Sequence, residues 1–196
     1  MRARSCALLA AAVCLSACGF VWPAFAQTAV EPRELVLPGA QIPGDWELVD
    51  EQSLRAGDQQ LELYHELNTD SIGRIVGLSV ARFDDPSAAA TAVDRAIVQA
   101  RNVGRPGWTL DDLGDGPAVV FVYRVAETDL RARFGFAPDA LGETVMVRLD
   151  RYVLTVQVGG PSEALDEVDS LAARLTELQL SHVQSALGRP TAGDLP

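Results

Sequence analysis

The stretch from residue 142 to 180 constrains the fold more than any other part of the chain. Two runs of alternating apolar and polar residues, 144–149 and 152–158, are separated by Asp150-Arg151, the length of a two-residue hairpin loop. In that register, residues directly opposite each other share a face of the hairpin. Three apolar pairs result: Leu149 with Tyr152, Val147 with Leu154 and Val145 with Val156. The sequence therefore predicts an antiparallel hairpin with one side facing a core.

An amphipathic helix is predicted directly after this hairpin. Ser162 is placed to cap it, and apolar residues follow at helical spacing: Ala164, Val168, Leu171, Leu175 and Leu178. The other face of the hairpin is half-polar and carries Arg148, Thr155 and Gln157. We expect that face to point away from the helices, which makes it a surface to test for binding.

Patterns upstream predict further strands and one more helix. Strands are expected over residues 46–49, 60–67, 74–83, 108–113 and 118–125. Asp85 is suited to cap a helix that begins at Pro86, and Gly104 and Pro106 end it. This order of elements indicates an α+β two-layer sandwich. One mainly antiparallel sheet of about six or seven strands is expected to carry both helices on one face.

The two predicted helix starts are similar in sequence. Aligning Pro86 with Pro161 also aligns Val93 with Val168, and a tryptophan opens each half of the domain. This similarity suggests an internal β-β-β-α pseudo-repeat. The competing explanation is that Pro-Ser is common at helix starts because it favours capping.

The first 26 residues have the features of a bacterial export signal. Arg2 and Arg4 precede an apolar run, and a site with small residues places the cut between Ala26 and Gln27. A linker is expected over 27–43, where Pro32, Pro38 and Pro43 argue against a helix. A single domain follows over 44–187, and 188–196 is expected to be a disordered tail.

A second processing site competes with this cut. The segment Leu15-Ser16-Ala17-Cys18-Gly19 resembles the lipobox of bacterial lipoproteins, and that resemblance implies a lipid anchor on Cys18. The apolar residues that follow Cys18 favour soluble secretion instead. Either product is exported to the periplasm or beyond it, and none of the three cysteines (6, 14 and 18) lies in the mature domain.

Charge and composition exclude several classes of function. The net charge is −11, and no acidic residue precedes residue 27, so removal of Arg2 and Arg4 makes the mature chain more negative still. Such a chain repels nucleic acid and anionic lipid, so contact with a membrane is expected only through a lipid on Cys18. The chain has no lysine, which excludes a Walker A motif, a Schiff base and a Ser-Lys dyad.

The titratable residues form no complete catalytic or metal-binding motif. His65 lies on the apolar side of a predicted strand, which favours a structural role over that of a catalytic base, and His182 lies near the end of the last helix. The acidic turn over residues 111–116 departs from the EF-hand pattern at Leu113 and Val122 and is better explained as an Asp/Gly turn. No cofactor or metal is expected.

The connection over residues 128–141 is the leading candidate for ligand binding. Arg131 and Arg133 alternate there with apolar residues, including Phe134 and Phe136. This pattern suits a flap that binds an acidic or amphipathic ligand, together with Arg148 on the polar face of the hairpin. The simpler interpretation is a loop that folds back and buries both phenylalanines.

The order of elements over residues 44–180 resembles that of secreted or lipoprotein α+β domains of bacteria, including the Mog1/PsbP-like group. The resemblance rests on segments such as Leu113-Gly114-Asp115 and Val147-Arg148-Leu149 to Gly159, and it assigns no functional residue. The leading hypothesis is an exported, non-catalytic module that binds a small ligand or an envelope protein. The alternatives are a small secreted hydrolase that uses carboxylates or His65, and a periplasmic assembly or stabilising factor.

Overall fold

A computed structural model describes residues 30–54, 58–67, 73–102, 107–110, 113–124 and 139–190. Seven strands form one antiparallel sheet in the order β1-β2-β3-β7-β6-β5-β4. The strands are β1 Trp46–Leu54, β2 Gln59–Glu66, β3 Ile75–Arg82, β4 Gly107–Leu110, β5 Ala118–Arg124, β6 Leu141–Leu149 and β7 Tyr152–Gly160. The helices are α1 Pro32–Leu35, α2 Pro86–Asn102 and α3 Leu165–Ala186. The α+β class and the single antiparallel sheet are confirmed.

The central hairpin has the predicted register. Leu149 pairs with Tyr152, Val147 with Leu154 and Val145 with Val156. Asp150 in the turn has a φ of 54°, a left-handed conformation that a short polar side chain tolerates. Period-two alternation was sufficient to specify this pairing, because a slip by one residue would turn every core side chain to the other face.

The two long helices lie on opposite faces of the sheet, which corrects the prediction that both cover one face. The buried residues of α3, among them Val168 and Leu175, pack in one cluster with Val145 and Leu154. Those of α2 pack in a second cluster, with the side chains of β5 that point the other way, such as Phe121. The physical reason is that β5 is apolar on both sides, so both faces of the sheet need a cover.

The similarity between the two helix starts does not correspond to a repeat in the structure. β1 to β3 precede α2, whereas four strands, β4 to β7, precede α3. The central strands β3 and β7 are antiparallel neighbours, so only a two-fold axis perpendicular to the sheet could exchange them. Such an axis does not exchange the two faces of the sheet, so a true repeat would place both helices on the same face. The helices occupy opposite faces, so the shared Pro-Ser starts reflect local helix initiation.

Only one of the two predicted helix caps is present. The carboxylate of Asp85 accepts a hydrogen bond of 2.8 Å from the backbone N–H of Ala88, and α2 begins at Pro86 as predicted. Ser162 instead begins a 3₁₀ turn, and its hydroxyl donates to the carboxylate of Asp139 at 2.8 Å. α3 starts only at Leu165 and has no side-chain cap.

The N-terminal segment is part of the domain, and the prediction that its prolines prevent a helix is wrong. Pro32 occupies the first turn of α1, where its missing N–H costs nothing. The side chains of Leu35 and Leu37 are fully buried in the core under α3. We call residues 30–42 the N-terminal strap, because they lie along the α3 face and begin where the hydroxyl of Tyr152 donates to the carbonyl of Val30 at 3.0 Å.

The C-terminal end is also fixed beyond the predicted boundary of the domain. Gly188 has a φ of 65° and ends α3 in a left-handed conformation. The guanidinium of Arg189 then lies 3.0 Å from the carboxylate of Asp115. Residues 191–196 of the predicted tail lie outside the described residues.

Candidate functional site

A cleft of about 300 Å³ lies between α2 and the sheet, on the face opposite α3. We call it the α2 cleft. Its lining combines four apolar side chains with two carboxamides and one hydroxyl. The residues are Ala96, Gln99 and Ala100 of α2, Phe121 of β5, Thr144 and Met146 of β6, and Gln157 of β7.

The floor of the α2 cleft is built from one row of directly opposed residues. Phe121 lies opposite Thr144, and Thr144 lies opposite Gln157, so three neighbouring strands place these side chains next to each other. Met146 lies two residues beyond Thr144 on the same face of β6. The sheet register therefore sets the spacing of the side chains in the floor.

Gly77 on β3 gives the side chain of Gln157 its space. The two residues are paired across β3 and β7, and a Cβ at Gly77 would lie 3.3 Å from Oε1 of Gln157. That distance is slightly shorter than ordinary van der Waals contact, so a side chain at position 77 would push the amide away by a few tenths of an ångström. The orientation of Gln157 thus depends on a residue outside the cleft lining.

The roof of the cleft is the C-terminal half of α2. The N-terminal half is fixed on the sheet through the buried side chains of Ala89 and Val93. Farther along, Ala96 and Ala100 present only methyl groups, while Gln99 is exposed at the rim. Because small side chains fill little of the space between helix and sheet, the cleft stays open.

The polar groups of the cleft are uncharged and available. The side chains of Gln99, Thr144 and Gln157 make no hydrogen bond to another residue that the structure describes. Together they offer amide and hydroxyl donors and acceptors beside an apolar floor. Convergent polar groups above apolar side chains are the usual composition of a small-molecule site.

A second unusual group lies on the other face, under α3. Glu143 on β6 is 6% exposed, and burial raises the pKa of its carboxyl to about 8. A hydrogen bond with Asp169 and the negative charge of that residue raise the pKa in the same direction. A protonated carboxyl is the form that a buried site with a second carboxylate favours. A perturbed pKa also occurs at structural positions, and Glu143 lines none of the clefts described here.

Two other clefts are less suited to a ligand. One of about 440 Å³ is lined by charged residues of both signs, including Arg74 and Glu167, and the guanidinium of Arg74 is already bonded to both oxygens of Glu66. The other, of about 410 Å³, lies beside the indole of Trp46, whose N–H donates to the carbonyl of Pro43 at 3.0 Å. The guanidinium of Arg74 and the indole N–H of Trp46 already make hydrogen bonds within the protein.

Of the residues predicted for ligand binding, only Arg148 lies in the described part of the chain. Its guanidinium donates to the backbone carbonyl of Asp115, at the turn that follows β4. It shares a sheet face with Thr144 and Met146 but does not line the α2 cleft. Arg131, Arg133, Phe134, Phe136 and Cys18 lie outside the described residues, and their roles stay predictions.

His65, the basis of the hydrolase alternative, is half-buried on β2 and lies opposite Ile75 and Glu47. It lines none of the three clefts described here. Within the described ranges, no group of three or more His, Cys, Asp or Glu residues is placed to hold a metal ion. No helix in that part of the chain is long and apolar enough to span a membrane.

Sequence reasoning found half of this site. It singled out the half-polar face of the hairpin, which contains Thr144, Met146 and Gln157, as a surface to test for binding, but it expected that face to point away from both helices, whereas α2 covers it. It missed Gln99 and Phe121, because it placed α2 on the other face of the sheet. The double-sided apolar character of β5 was the signal that could have corrected this placement.

A solved structure with a similar fold is the extracellular domain of PknH from Mycobacterium tuberculosis. The alignment covers 79% of this chain and 95% of that domain, with a TM-score of 0.54 and 11% sequence identity. A likeness at that identity shows a shared fold and leaves the function to be argued from the site. No protein-family model matches the chain, and no curated protein matches it in sequence.

Proposed function

We propose that this chain is an exported, non-catalytic binding module of the cell envelope and that its ligand site is the α2 cleft. The observation that carries the proposal is the row Phe121, Thr144 and Gln157, whose polar groups lie beside an apolar floor without a described hydrogen-bond partner. Binding is favoured over catalysis because the lining includes no acid, base or charged nucleophile among the described residues.

Export is supported by two independent features. The first 26 residues have the charge and hydropathy pattern of an export signal. The fold is also one that a bacterial protein uses outside the cell, since the solved domain it resembles is extracellular. Mass spectrometry of the mature protein from a bacterial envelope fraction tests this part, because an N-terminus at Gln27 and an acylated Cys18 differ in mass.

Ligand binding can be tested by NMR with a pair of matched variants on α2. We expect small-molecule fragments to shift the resonances of Thr144, Met146 and Gln157. The variant Ala96→Trp fills the cleft and should abolish these shifts. The variant Val98→Trp adds the same side chain on the same helix, at a position that is 55% exposed and outside the lining, and should leave them unchanged.

The result would contradict the proposal if no fragment shifts the cleft resonances, or if Ala96→Trp and Val98→Trp affect the shifts equally. Thermal unfolding of both variants is the control that checks whether the fold is retained. A wild-type fold with a filled cleft and unchanged binding would place the ligand elsewhere on the molecule.

A further inference from the structure

The polar lining of the α2 cleft restricts the charge and the functional groups of its ligand. From this lining we infer that the ligand is an uncharged ring compound that carries an amide, such as an acetamido sugar. The inference rests on the proposed function, and it goes further by assigning a chemical class.

Neutrality follows from the absence of charge among the described lining residues. A charged group transferred into this cleft would lose water without gaining a counterion, and that desolvation is costly. The cleft beside Arg74 shows the contrast, since it carries Arg174, Asp166 and Glu167. The chain therefore lines one cleft with charges and the other with neutral groups, which discriminates against ions in the α2 cleft.

The amide follows from the two carboxamides. Gln99 and Gln157 each present an N–H donor beside a C=O acceptor, and the hydroxyl of Thr144, directly opposite Gln157 in the sheet, can donate or accept. The N–H and C=O of a ligand amide match this pattern and can satisfy both groups of a carboxamide. A ligand with acceptors only would leave the carbonyl of Gln157 without a partner where the ligand displaces water, at a cost in affinity.

The ring follows from the shape and chemistry of the floor. Phe121 is 8% exposed and Met146 half-buried, so an aromatic ring and a thioether form an apolar platform. Ala96 and Ala100 line the same cleft from α2 and contribute only methyl groups. A flat ring can place its C–H face on the platform and its polar edge toward the glutamines. A volume of about 300 Å³ suits one such ring and is at the small end of ligand pockets.

The test uses three related probes at mildly acidic pH, where the amine of glucosamine is protonated. N-Acetylglucosamine is neutral and has the acetamido group, glucosamine replaces that group by a cation, and glucose replaces it by a hydroxyl. We expect N-acetylglucosamine to shift the side-chain amide resonances of Gln99 and Gln157 with a millimolar Kd. Glucose and glucosamine should bind at least about tenfold more weakly, which corresponds to the loss of one to two hydrogen bonds.

Two variants make the result specific to the lining. Gln157→Leu replaces the carboxamide by an apolar side chain of similar size and should weaken the binding of N-acetylglucosamine by about tenfold. Gln184→Leu makes the same change on α3, outside the cleft, and should have no effect. Comparable shifts with glucosamine or glucose, or no shift with N-acetylglucosamine, would overturn the ligand class. If other fragments still bind in the cleft, the proposed function stands and only the ligand class is wrong. If no fragment or sugar binds there, both the proposed function and the ligand class are contradicted.

Discussion

The side-chain amide of Gln179 binds the backbone of Leu37 across 142 positions of sequence. Its Oε1 accepts the N–H of Leu37 at 2.9 Å, and its Nε2 donates to the carbonyl of Leu35 at 2.6 Å. Gln179 has no exposed surface, so the two bonds form inside the core. One polar side chain of α3 thus satisfies two buried backbone groups of the N-terminal strap.

Replacing Gln179 by Met should destabilise the fold strongly. The substitution keeps an unbranched side chain of similar length but leaves two buried backbone groups without partners, at a combined cost of about 3 kcal/mol. Urea unfolding followed by circular dichroism measures this loss as a lower midpoint. Gln184→Met, a half-exposed position on the same helix, is the control and should change the midpoint little. Equal midpoints for the two variants would show that the strap is not held by Gln179.

The buried carboxyl of Glu143 should make stability depend on pH in the neutral range. Its pKa is raised from 4.5 to about 8 in the folded protein, so the folded state binds a proton that the unfolded state releases. The contribution of Glu143 to stability is complete below about pH 4.5, falls as the pH rises and is lost by about pH 8. The slope from one such group is at most about 1.4 kcal/mol per pH unit.

Glu143→Gln removes this titration while it keeps a side chain of the same shape. We expect the variant to lose the fall in unfolding free energy over that range and to be more stable than the wild type at mildly alkaline pH. Denaturant unfolding at a series of pH values measures the effect. Glu177→Gln on the exposed side of α3 should follow the wild-type curve, and a Glu143→Gln curve parallel to the wild type would refute the assignment.

Asp115 should act as a structural anchor for the central hairpin and the C-terminus. Its carboxylate accepts the N–H of Asp150 at 2.5 Å and lies 3.0 Å from the guanidinium of Arg189. Asp115→Ala loses both interactions, and because they are partly exposed we expect a cost of about 1 kcal/mol. Asp115→Asn keeps an acceptor but no charge, so its whole stability deficit should shrink in high salt, whereas the deficit of Asp115→Ala should shrink only in part. Urea unfolding at two salt concentrations separates the two contributions; equal salt dependence of wild type and Asp115→Asn would exclude the ion pair.

Gly77→Ala should affect binding more than stability. The added methyl group would press on the amide of Gln157 at 3.3 Å, and this side chain can move within the cleft. We expect a stability loss of less than about 1.5 kcal/mol and weaker binding of cleft ligands by about tenfold. Gly160→Ala should show the opposite pattern, because its methyl group would press on Val168 at 3.1 Å on the α3 face. Thermal unfolding and NMR titration of both variants measure the two effects, and unchanged ligand affinity in Gly77→Ala would remove Gln157 from the site.

The parts of this fold that a sequence can predict are those with a local period. The alternation around Asp150 was enough for the hairpin register, and Asp85-Pro86 was enough for the start of α2. The apolar stripe of α2 did not predict which face of the sheet the helix covers. Such a stripe shows that the helix packs against a sheet, but it does not specify on which side. The candidate site inherited this error, because Phe121 and Met146 become its floor only when α2 lies above them.

The N-terminal strap was missed for a different reason. Leu35 and Leu37 form too short a pattern to indicate a core element, and the three prolines around them suggest a linker. Their partner Gln179 is a polar residue in a helix and gives no sign of burial in the sequence. Interactions between distant residues that involve a single polar group leave no periodic signal, so they are visible only in three dimensions.

The bond between Leu37 and Gln179 also imposes an order on the maturation of the chain. Any chain that emerges with its N-terminus first, from a ribosome or through a membrane, presents Leu35 and Leu37 long before the helix that covers them exists. During that interval the two leucines are an exposed apolar segment that a chaperone can recognise. Completion of α3 removes this segment from solvent, so Leu35 and Leu37 can be buried only after the helix that contains Gln179 has emerged.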